Sequence, residues 1–347
     1  MAAVTPLDTA HHLANTLLFP AAQDVDRTRV PTSHLDALAA AGLFDLDGLT
    51  PGETRRVFAA IGGGCGATFF VWVQHHGVVR TLAASSNESL REDLLTDFRT
   101  GSKLAGVAFA HVRRTGPPAI TATRTDGGWR LDGHAPWATS WGIADRFCVA
   151  AESPDGEMVW SMLAGESGDG LCATALELPV FAATGTVAFD LEACDVREPR
   201  VVAVSDVEAW RAADRRRAAL GQPAVLGVTE RAVRLLDERG GDAAVASRRL
   251  ARQVAAAWRR DDELTERAAE LPSDADAVDV KAWITEASEH RADCLDLARR
   301  ATTALLAASG GGGMDLRHPA QRLAREAAFY VIQAQTADGR AATLRRQ

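Results

Sequence analysis

The stretch Trp137-Ala138-Thr139-Ser140 places an indole ring close to two hydroxyl side chains. An indole offers a flat apolar wall to a planar ligand, and a hydroxyl offers a neutral hydrogen-bond donor that adds no charge. These residue types therefore suit the binding of a flat ring. The alternative is that Trp137 is a core aromatic and Thr139 a turn residue, and the motif alone supports both interpretations equally.

A second candidate for ligand contact is the run Gly310-Gly311-Gly312-Gly313. Glycine has no Cβ, so a glycine-rich backbone can approach a ligand such as a phosphate closely. Four consecutive glycines would also serve as a flexible joint between two helices. The run therefore predicts either a ligand-contacting loop or a joint.

The residues before Trp137 have the pattern of a β-hairpin. Asp126-Gly127-Gly128 lies between two alternating apolar segments, and Asp-Gly tolerates the positive φ angles of a tight turn. Pro136 has no backbone N–H to donate to a strand ladder. We predict two antiparallel strands whose pairing stops at His134-Ala135-Pro136, which leaves Trp137 at a strand end.

Short apolar segments separated by turn residues extend from Leu104 to about Val204. Seven such segments at this spacing predict a small β barrel or sandwich. They are residues 104–110, 120–125, 129–133, 147–151, 158–164, 171–178 and 186–191.

Helical patterns flank this region on both sides. The N-terminal patterns are 34–42, an uncharged run over 57–76, and a segment from the capping residue Asn87 to Gly101; the C-terminal ones are 222–240, 242–270, 274–309 and 319–346. Their length and alanine content favour antiparallel bundles. The predicted fold is an N-terminal α-helical domain (1–103), a central small β barrel or sandwich (104–205) and a C-terminal four-helix bundle (206–347).

Composition argues against several classes of function. The 347 residues carry a net charge of −8, which disfavours nucleic acid as a partner because phosphate binding needs concentrated Lys and Arg. The five cysteines are scattered and the nine histidines lack metal-ligand spacing, so we expect reduced thiols, a cytoplasmic location and no metal. The run 57–76 has three glycines near its start, so we expect a buried helix there and no membrane span.

The order of these motifs resembles the acyl-CoA dehydrogenase family of flavoproteins. In its middle domain the family carries a glycine, a Trp-x-Thr/Ser motif, Ala-Asp and an apolar strand. The matching residues here are Gly133, Trp137, Ala138, Thr139, Ser140, Ala144, Asp145 and 147–151. A second match joins the glycine run to Met314, His318-Pro319, Arg325-Glu326-Ala327 and Thr336. With the predicted domain order, the resemblance covers essentially the whole chain.

The resemblance implies that the chain binds FAD. It implies that Trp137 packs beside the flavin ring and that the Thr139 hydroxyl lies near flavin N5, where a neutral donor can steady the reduced ring. The residues that it implies as cofactor contacts are Trp137, Thr139, Ser140, Thr184, Gly310, Gly311, Gly313 and Thr336. It also implies a small-molecule acyl substrate, an electron-transfer or reductase partner, and a homodimer or homotetramer.

The chain departs from the family's pattern at positions that matter for catalysis. The register puts Ala334 where the family has its usual catalytic Glu, and alanine cannot take a proton. Asp214 and Glu230 are the candidate bases, since a carboxylate with a raised pKa can take a proton; the alternative is that both belong to a charged helix surface. The family's phosphate-binding loop is replaced by 109–118, and its Arg-x-x-Phe-Gly motif is reduced to Arg239-Gly240.

Three functions remain open from the sequence. The first is an FAD-dependent oxidoreductase of the acyl-CoA dehydrogenase type, acting on an acyl thioester or related carbonyl compound. The second is a monooxygenase on the same fold that uses reduced flavin from a partner reductase, which Ala334 favours because that reaction needs no α-proton base. The third is a non-catalytic member that keeps the fold.

Overall fold

The computed structural model describes residues 4–114, 116–271 and 277–346. Helices come first along the chain, followed by a β-sheet and then by further helices, which confirms the predicted fold class. The chain divides into two compact units. The sheet unit comprises Thr28–Asp45 and Phe70–Ala213, and the helical unit comprises the residues up to Arg27, Leu46–Phe69 and those from Asp214 onward. The boundaries of the three proposed domains stay a prediction.

The N-terminal part of the chain is helical. They are α1 (Pro6–Leu13), α2 (Phe19–Arg27), α3 (Thr32–Ala40), α4 (Pro51–Gly64), α5 (Gly66–Ala83) and α6 (Glu88–Thr100), with a π-helical segment at Ala14–Leu18. The Asn87 side chain accepts a hydrogen bond from the Leu90 N–H at 3.1 Å, and Gly101 at φ 74° ends α6. Both ends of α6 were predicted from these two residues, because a capping side chain and a left-handed glycine are local signals.

The run 57–76 does not form the single buried helix that we predicted. It is divided between α4 and α5, and Cys65 between them has extended backbone angles of φ −144° and ψ 108°. Three consecutive glycines directly precede Cys65, and glycine costs a helix more backbone entropy than any other residue. The glycines therefore explain why the helix ends before Cys65.

The glycines at the end of α4 allow a close helix crossing. Gly63 lies against Gly227 of α8 (Ala224–Asp237): a Cβ on Gly63 would lie 2.6 Å from the Gly227 carbonyl oxygen. A Cβ on Gly227 would lie 1.9 Å from the Ala59 carbonyl oxygen. A larger side chain at either position would force the helices apart, so this run serves packing within the helical unit.

The middle of the chain forms one sheet of eight strands. The strands are β1 (Ala105–Ala108), β2 (Ile120–Thr125), β3 (Gly128–Ala138), β4 (Arg146–Glu152), β5 (Glu157–Ala164), β6 (Leu171–Ala175), β7 (Val187–Arg197) and β8 (Val201–Asp206). Their order is β6-β7-β3-β2-β4-β5-β8, with β1 paired to β4. The last strand was not predicted, because it lies at the edge of the sheet and its second half is exposed.

The β2–β3 hairpin forms as predicted, but β3 continues further. Gly127 has φ 92° in the turn, and Ile120 pairs with Gly133. The prediction that pairing stops at His134-Ala135-Pro136 is wrong: His134 and Ala135 pair with β7, and pairing resumes at Ala138 after a register shift. A bulge leaves a residue of the strand unpaired, so a proline, which has no N–H to donate, is tolerated there. The strand can therefore continue to Ala138.

Alternate residues of β4 face two different apolar clusters. Phe147 and Val149 belong to a cluster with Trp129 and Phe189, whereas Cys148 and Ala150 belong to a cluster with residues of α5, α6, β5 and β8. A strand that is buried on both faces has a continuous run of apolar residues in its sequence. The central strand of the sheet unit therefore has no solvent-facing side.

The C-terminal helices form the four-helix bundle and its flanking helices. They are α7 (Val207–Ala218), α8, α9 (Gly241–Glu270), α10 (Ala277–Ser309), α11 (Pro319–Tyr330) and α12 (Ala337–Leu344). The predicted start of α10 at Asp274 lies outside the described residues. The single helix predicted over 319–346 is two helices, separated by a turn at 331–336. Over the ranges that the structure describes, no helix combines the length and apolar character that a membrane crossing requires.

Candidate functional site

Trp137 is the exposed aromatic at the end of β3. Its exposed fraction is 44%, whereas the other seven tryptophans of the chain are buried or half-buried. Thr139, two residues later, is 5% exposed. The structure therefore places an uncovered indole two residues from a buried hydroxyl. The core-aromatic alternative for Trp137 is not supported.

Ser140 continues this turn in a strained backbone conformation. Its φ is 83°, in the left-handed region that side chains other than glycine seldom adopt. Its Oγ is buried and has no hydrogen-bond partner among the described residues. An orphaned buried hydroxyl and a strained backbone at one residue are features that cluster at ligand sites.

Two backbone segments fix the position of the turn. The Ser140 N–H donates to the Thr184 carbonyl at 3.0 Å, and the Trp141 N–H donates to the Gly185 carbonyl at 2.9 Å. On the other side, a Cβ on Gly106 would lie 2.6 Å from the Thr139 carbonyl oxygen, so only glycine fits in β1 there. The structure thus brings together three of the predicted residues, Thr139, Ser140 and Thr184.

A chain of hydroxyl groups lies behind the turn. Thr139 Oγ1 is 3.0 Å from Thr186 Oγ1, which is 2.8 Å from Thr184 Oγ1. Thr184 Oγ1 donates in turn to the Phe181 carbonyl at 2.7 Å. Thr186 was not among the predicted site residues. Its only signal in the sequence is its place two residues after Thr184, at the start of the strand pattern that became β7.

The glycine run forms a short 3₁₀ turn in the helical unit, over Gly310–Met314. A Cβ on Gly310, Gly311 or Gly312 would meet no atom within 4 Å, whereas Gly313 packs against Ser309 and Leu306. Of these positions, Gly310 has a positive φ, at 56°. Packing within the chain therefore does not explain the first three glycines, and their backbone is open for a ligand to approach.

A surface depression lies beside the start of the glycine run. Arg239 Nη1 donates to the Ala308 carbonyl at 3.3 Å, and its Nη2 lies 3.2 Å from His318 Nε2. The depression has a volume of about 140 Å³ and is lined by Leu235, Glu238, Arg239, Leu305, His318 and Pro319. Arg239 belongs to Arg239-Gly240, which resembles a reduced form of the family's Arg-x-x-Phe-Gly motif. The sequence therefore did carry a signal for this arginine.

Thr336 has a structural role within the helical unit. It is the N-cap of α12, and its Oγ1 accepts a hydrogen bond from the Gly339 N–H at 3.2 Å. A capping hydroxyl is worth about 1 kcal/mol to a helix. The cap accounts for a threonine at this position without a ligand, and the assignment of Thr336 to a cofactor stays a prediction.

The turn that contains Ala334 is well defined. Ala334 has φ 48°, and its carbonyl accepts a hydrogen bond from Arg291 Nη1 at 3.0 Å. Arg291 Nη2 donates to the neighbouring Gln333 carbonyl. Sequence reasoning missed Arg291, because nothing marks one arginine of a long helix as a buried donor. The turn is present, but the alanine supplies no group that takes a proton.

The two candidate bases differ in their surroundings. Asp214 is buried in α7. Glu230 of α8 is half-buried and accepts a hydrogen bond from Trp258 Nε1 at 2.6 Å, and burial raises the pKa of its carboxyl above the usual value. A raised pKa suits a general base. The alternative that both lie on a charged surface is not supported, and their catalytic role stays a prediction.

His75, a buried histidine of the sheet unit, has a structural role. His75 Nε2 donates to the Phe98 carbonyl at 2.8 Å, and its Nδ1 accepts from the Ala105 N–H at 3.0 Å. Burial lowers the pKa of His75 to about 4 and the pKa of His111 to about 4. No group of three or more potential ligands among the described residues could hold a metal ion.

Comparisons of the whole chain with solved structures identify its fold. No family model and no curated protein match the sequence. Butyryl-CoA dehydrogenase from Megasphaera elsdenii is 16% identical, with a TM-score of 0.79 over 98% of this chain and 95% of that one. Dibenzothiophene monooxygenase from Paenibacillus sp. A11-2 is 14% identical, with a TM-score of 0.79 over 97% and 95% of the two chains. A glutaryl-CoA dehydrogenase from Mycobacterium smegmatis, in complex with FADH2, is 13% identical, with a TM-score of 0.77 over 98% and 93%. The chain therefore has the acyl-CoA dehydrogenase fold.

Proposed function

We propose that the protein is a flavin-dependent oxidoreductase, with FAD as the cofactor and with Trp137 and Thr139 against the flavin ring. The observation that carries this proposal is the exposed indole of Trp137 next to the buried hydroxyl of Thr139. A flavin is a flat ring with a polar edge, so it matches one apolar wall and one hydroxyl. When bound, the flavin would supply hydride or electron transfer.

Three further features of the chain fit a flavin. The unpartnered Oγ of Ser140 would gain a hydrogen-bond acceptor. The open backbone of Gly310, Gly311 and Gly312 would tolerate a diphosphate at close range. The cationic side chain of Arg239 lies beside the start of that run, where it can offset phosphate charge.

Flavin binding is tested by titrating the purified protein with FAD and with FMN. We expect the protein to bind FAD and to change its visible absorbance spectrum. Replacing Trp137 with Leu should weaken binding on the order of tenfold, because the stacked aromatic wall is lost. Val204→Ala is the matched control, since Val204 is also 44% exposed but lies on the edge strand β8. A protein that binds neither flavin overturns the proposal and favours the non-catalytic alternative.

The reaction that we propose first is oxidation of an acyl thioester or a related carbonyl compound. It needs a base for the α-proton, and Glu230 is the candidate with a raised pKa. Bleaching of bound FAD by a panel of acyl-CoA compounds under anaerobic conditions tests this reaction. A Glu230→Gln variant that bleaches as fast as the wild type would remove Glu230 from the mechanism.

A second candidate is a monooxygenase that receives reduced flavin from a partner reductase. Ala334 favours it, because the turn is formed but carries no carboxylate. This reaction needs O₂ and no α-proton base. Substrate-dependent oxygen uptake with supplied reduced flavin, and incorporation of labelled oxygen into the product, distinguish it from the dehydrogenase. Absence of label in the product would exclude it.

A further inference from the structure

A row of arginines lies along the outward face of α9 in the helical unit. The buried side chains of this helix, among them Leu250, Val254 and Trp258, mark its inward face. Because an α-helix has 3.6 residues per turn, the opposite face can be read from the spacing of its exposed residues. That face carries four exposed arginines, Arg248, Arg249, Arg252 and Arg259. These four residues form a surface that we call the arginine face.

The charge of the arginine face is not neutralised by the helices that carry and support it. Residues 243–260 of α9 contain no Asp or Glu. None of the four arginines forms an ion pair with a residue that the structure describes. On α10, which packs against α9, the Asp296 carboxylate is held by Arg299 and Arg300. The face therefore concentrates positive charge on a chain whose net charge is −8.

We propose that the arginine face docks an acidic helix of a partner protein. Arg248 and Arg252 are four residues apart, where like charges destabilise a helix, and carboxylates of a partner would offset this repulsion. From Arg248 to Arg259 the face is about 17 Å long, which corresponds to about three turns of a helix. The exposed residues between Arg252 and Arg259 on this face are Ala255 and Ala256. Their small side chains let a second helix approach closely.

The shape and charge of the chain favour a helix over a nucleic acid or a membrane. A long duplex or an anionic bilayer would extend past the arginine face and meet a chain that is acidic as a whole. A short helix can engage the face alone. Attraction between exposed charges is screened over about 10 Å at 0.1 M salt, so the contact should weaken as ionic strength rises. The proposal does not depend on flavin binding.

A synthetic acidic helix is the probe that tests this surface. It is a labelled, alanine-rich peptide of about 20 residues, about 30 Å long as a helix, with its glutamates on one face. Fluorescence anisotropy at low ionic strength measures its binding to the full chain. We expect the wild type to bind the peptide. Arg248→Glu/Arg252→Glu should bind it on the order of tenfold more weakly, because two attractions become repulsions. Arg248→Lys/Arg252→Lys keeps both charges and should bind more tightly than the Glu variant.

Arg29→Glu/Arg197→Glu is the matched control, because both arginines are exposed in the sheet unit and the variant has the same net charge as Arg248→Glu/Arg252→Glu. An equal loss of affinity in the control overturns the proposal, and so does a wild type that binds no peptide. Equal binding of a peptide whose glutamates are spread around the helix also overturns it.

Other occupants of the arginine face have their own readouts. Tighter wild-type binding to phosphatidylserine-containing vesicles or to duplex DNA than to the peptide would overturn the proposal in favour of a membrane or a nucleic acid. Light scattering without peptide measures the molecular mass of the wild type and of Arg248→Glu/Arg252→Glu. A lower mass in the variant would assign the face to a second copy of the chain, which also contradicts the proposal.

Discussion

Arg291 holds the turn that contains Ala334, although the two residues lie 43 positions apart in the chain. Its Nη1 donates to the Ala334 carbonyl at 3.0 Å and to the Ala218 carbonyl at 3.2 Å, and its Nη2 donates to the Gln333 carbonyl. One buried guanidinium therefore joins the end of α7 to the turn between α11 and α12. The carbonyl of Ala334, in its left-handed turn, therefore accepts a hydrogen bond from a residue that is distant in sequence.

Replacing Arg291 with Met should destabilise the protein by about 3 kcal/mol, because buried carbonyls would lose charged donors. Urea unfolding measures the change in the free energy of unfolding, and limited proteolysis should show faster cleavage at 331–336. Arg317→Met is the control, since Arg317 is exposed and pairs only locally with Asp315. A stability loss in Arg291→Met no larger than in the control would show that the turn holds without the guanidinium.

The parts of this structure that the sequence predicted are those with local causes. Asn87 and Gly101 delimit α6, and Asp126-Gly127 sets the β2–β3 turn, because caps and tight turns depend on the residues beside them. The contact between the Thr139 and Thr186 hydroxyls joins residues 47 positions apart, and the turn before α12 accepts a hydrogen bond from Arg291, 43 positions before Ala334. Contacts of that kind leave no local pattern, so the motif around Trp137 was found and the hydroxyl chain was not.

Acid should destabilise the sheet unit between pH 6.5 and pH 4. Burial lowers the pKa of both His75 and His111 to about 4 in the folded protein. In this pH range the unfolded chain binds protons that the folded chain does not, so the free energy of unfolding falls as the pH falls. At pH 5 the loss is roughly 2 kcal/mol for each histidine.

Urea unfolding at pH 7 and pH 5 measures this dependence. His75→Gln should be less stable at pH 7 but should lose less stability between the two values, since one titrating group is gone. His12→Gln is the control, because His12 is exposed on α1. If His75→Gln kept the full wild-type difference between pH 7 and pH 5, His75 would not be a source of the acid sensitivity.

Arg322 and Glu326 form a buried ion pair in α11. Each is 1% exposed, and Arg322 Nη1 donates to Glu326 Oε1 at 2.7 Å. Arg322→Met should cost about 3–5 kcal/mol, because it leaves a buried carboxyl without its charge partner. The double variant Arg322→Met/Glu326→Met should be more stable than this single variant, since no isolated charge remains. Unfolding free energies of the wild type and the two variants test this order, and a double variant that is less stable than Arg322→Met would contradict it.

Ala334→Glu should introduce a proton acceptor at the position where the family resemblance expects one. The change adds no new backbone strain, because alanine already occupies the left-handed conformation at φ 48°, and Ala334 is half-exposed. Under the proposed function, the variant loaded with FAD should exchange the α-proton of butyryl-CoA with deuterated water. We expect a rate at least about a hundredfold above the wild type, the lower end of what a positioned general base contributes.

Ala334→Gln is the matched control, because its side chain has the same size as that of glutamate and cannot take the proton. Equal exchange rates in the Glu and Gln variants would mean that this turn does not face the substrate, and the search for the base would then move to Glu230.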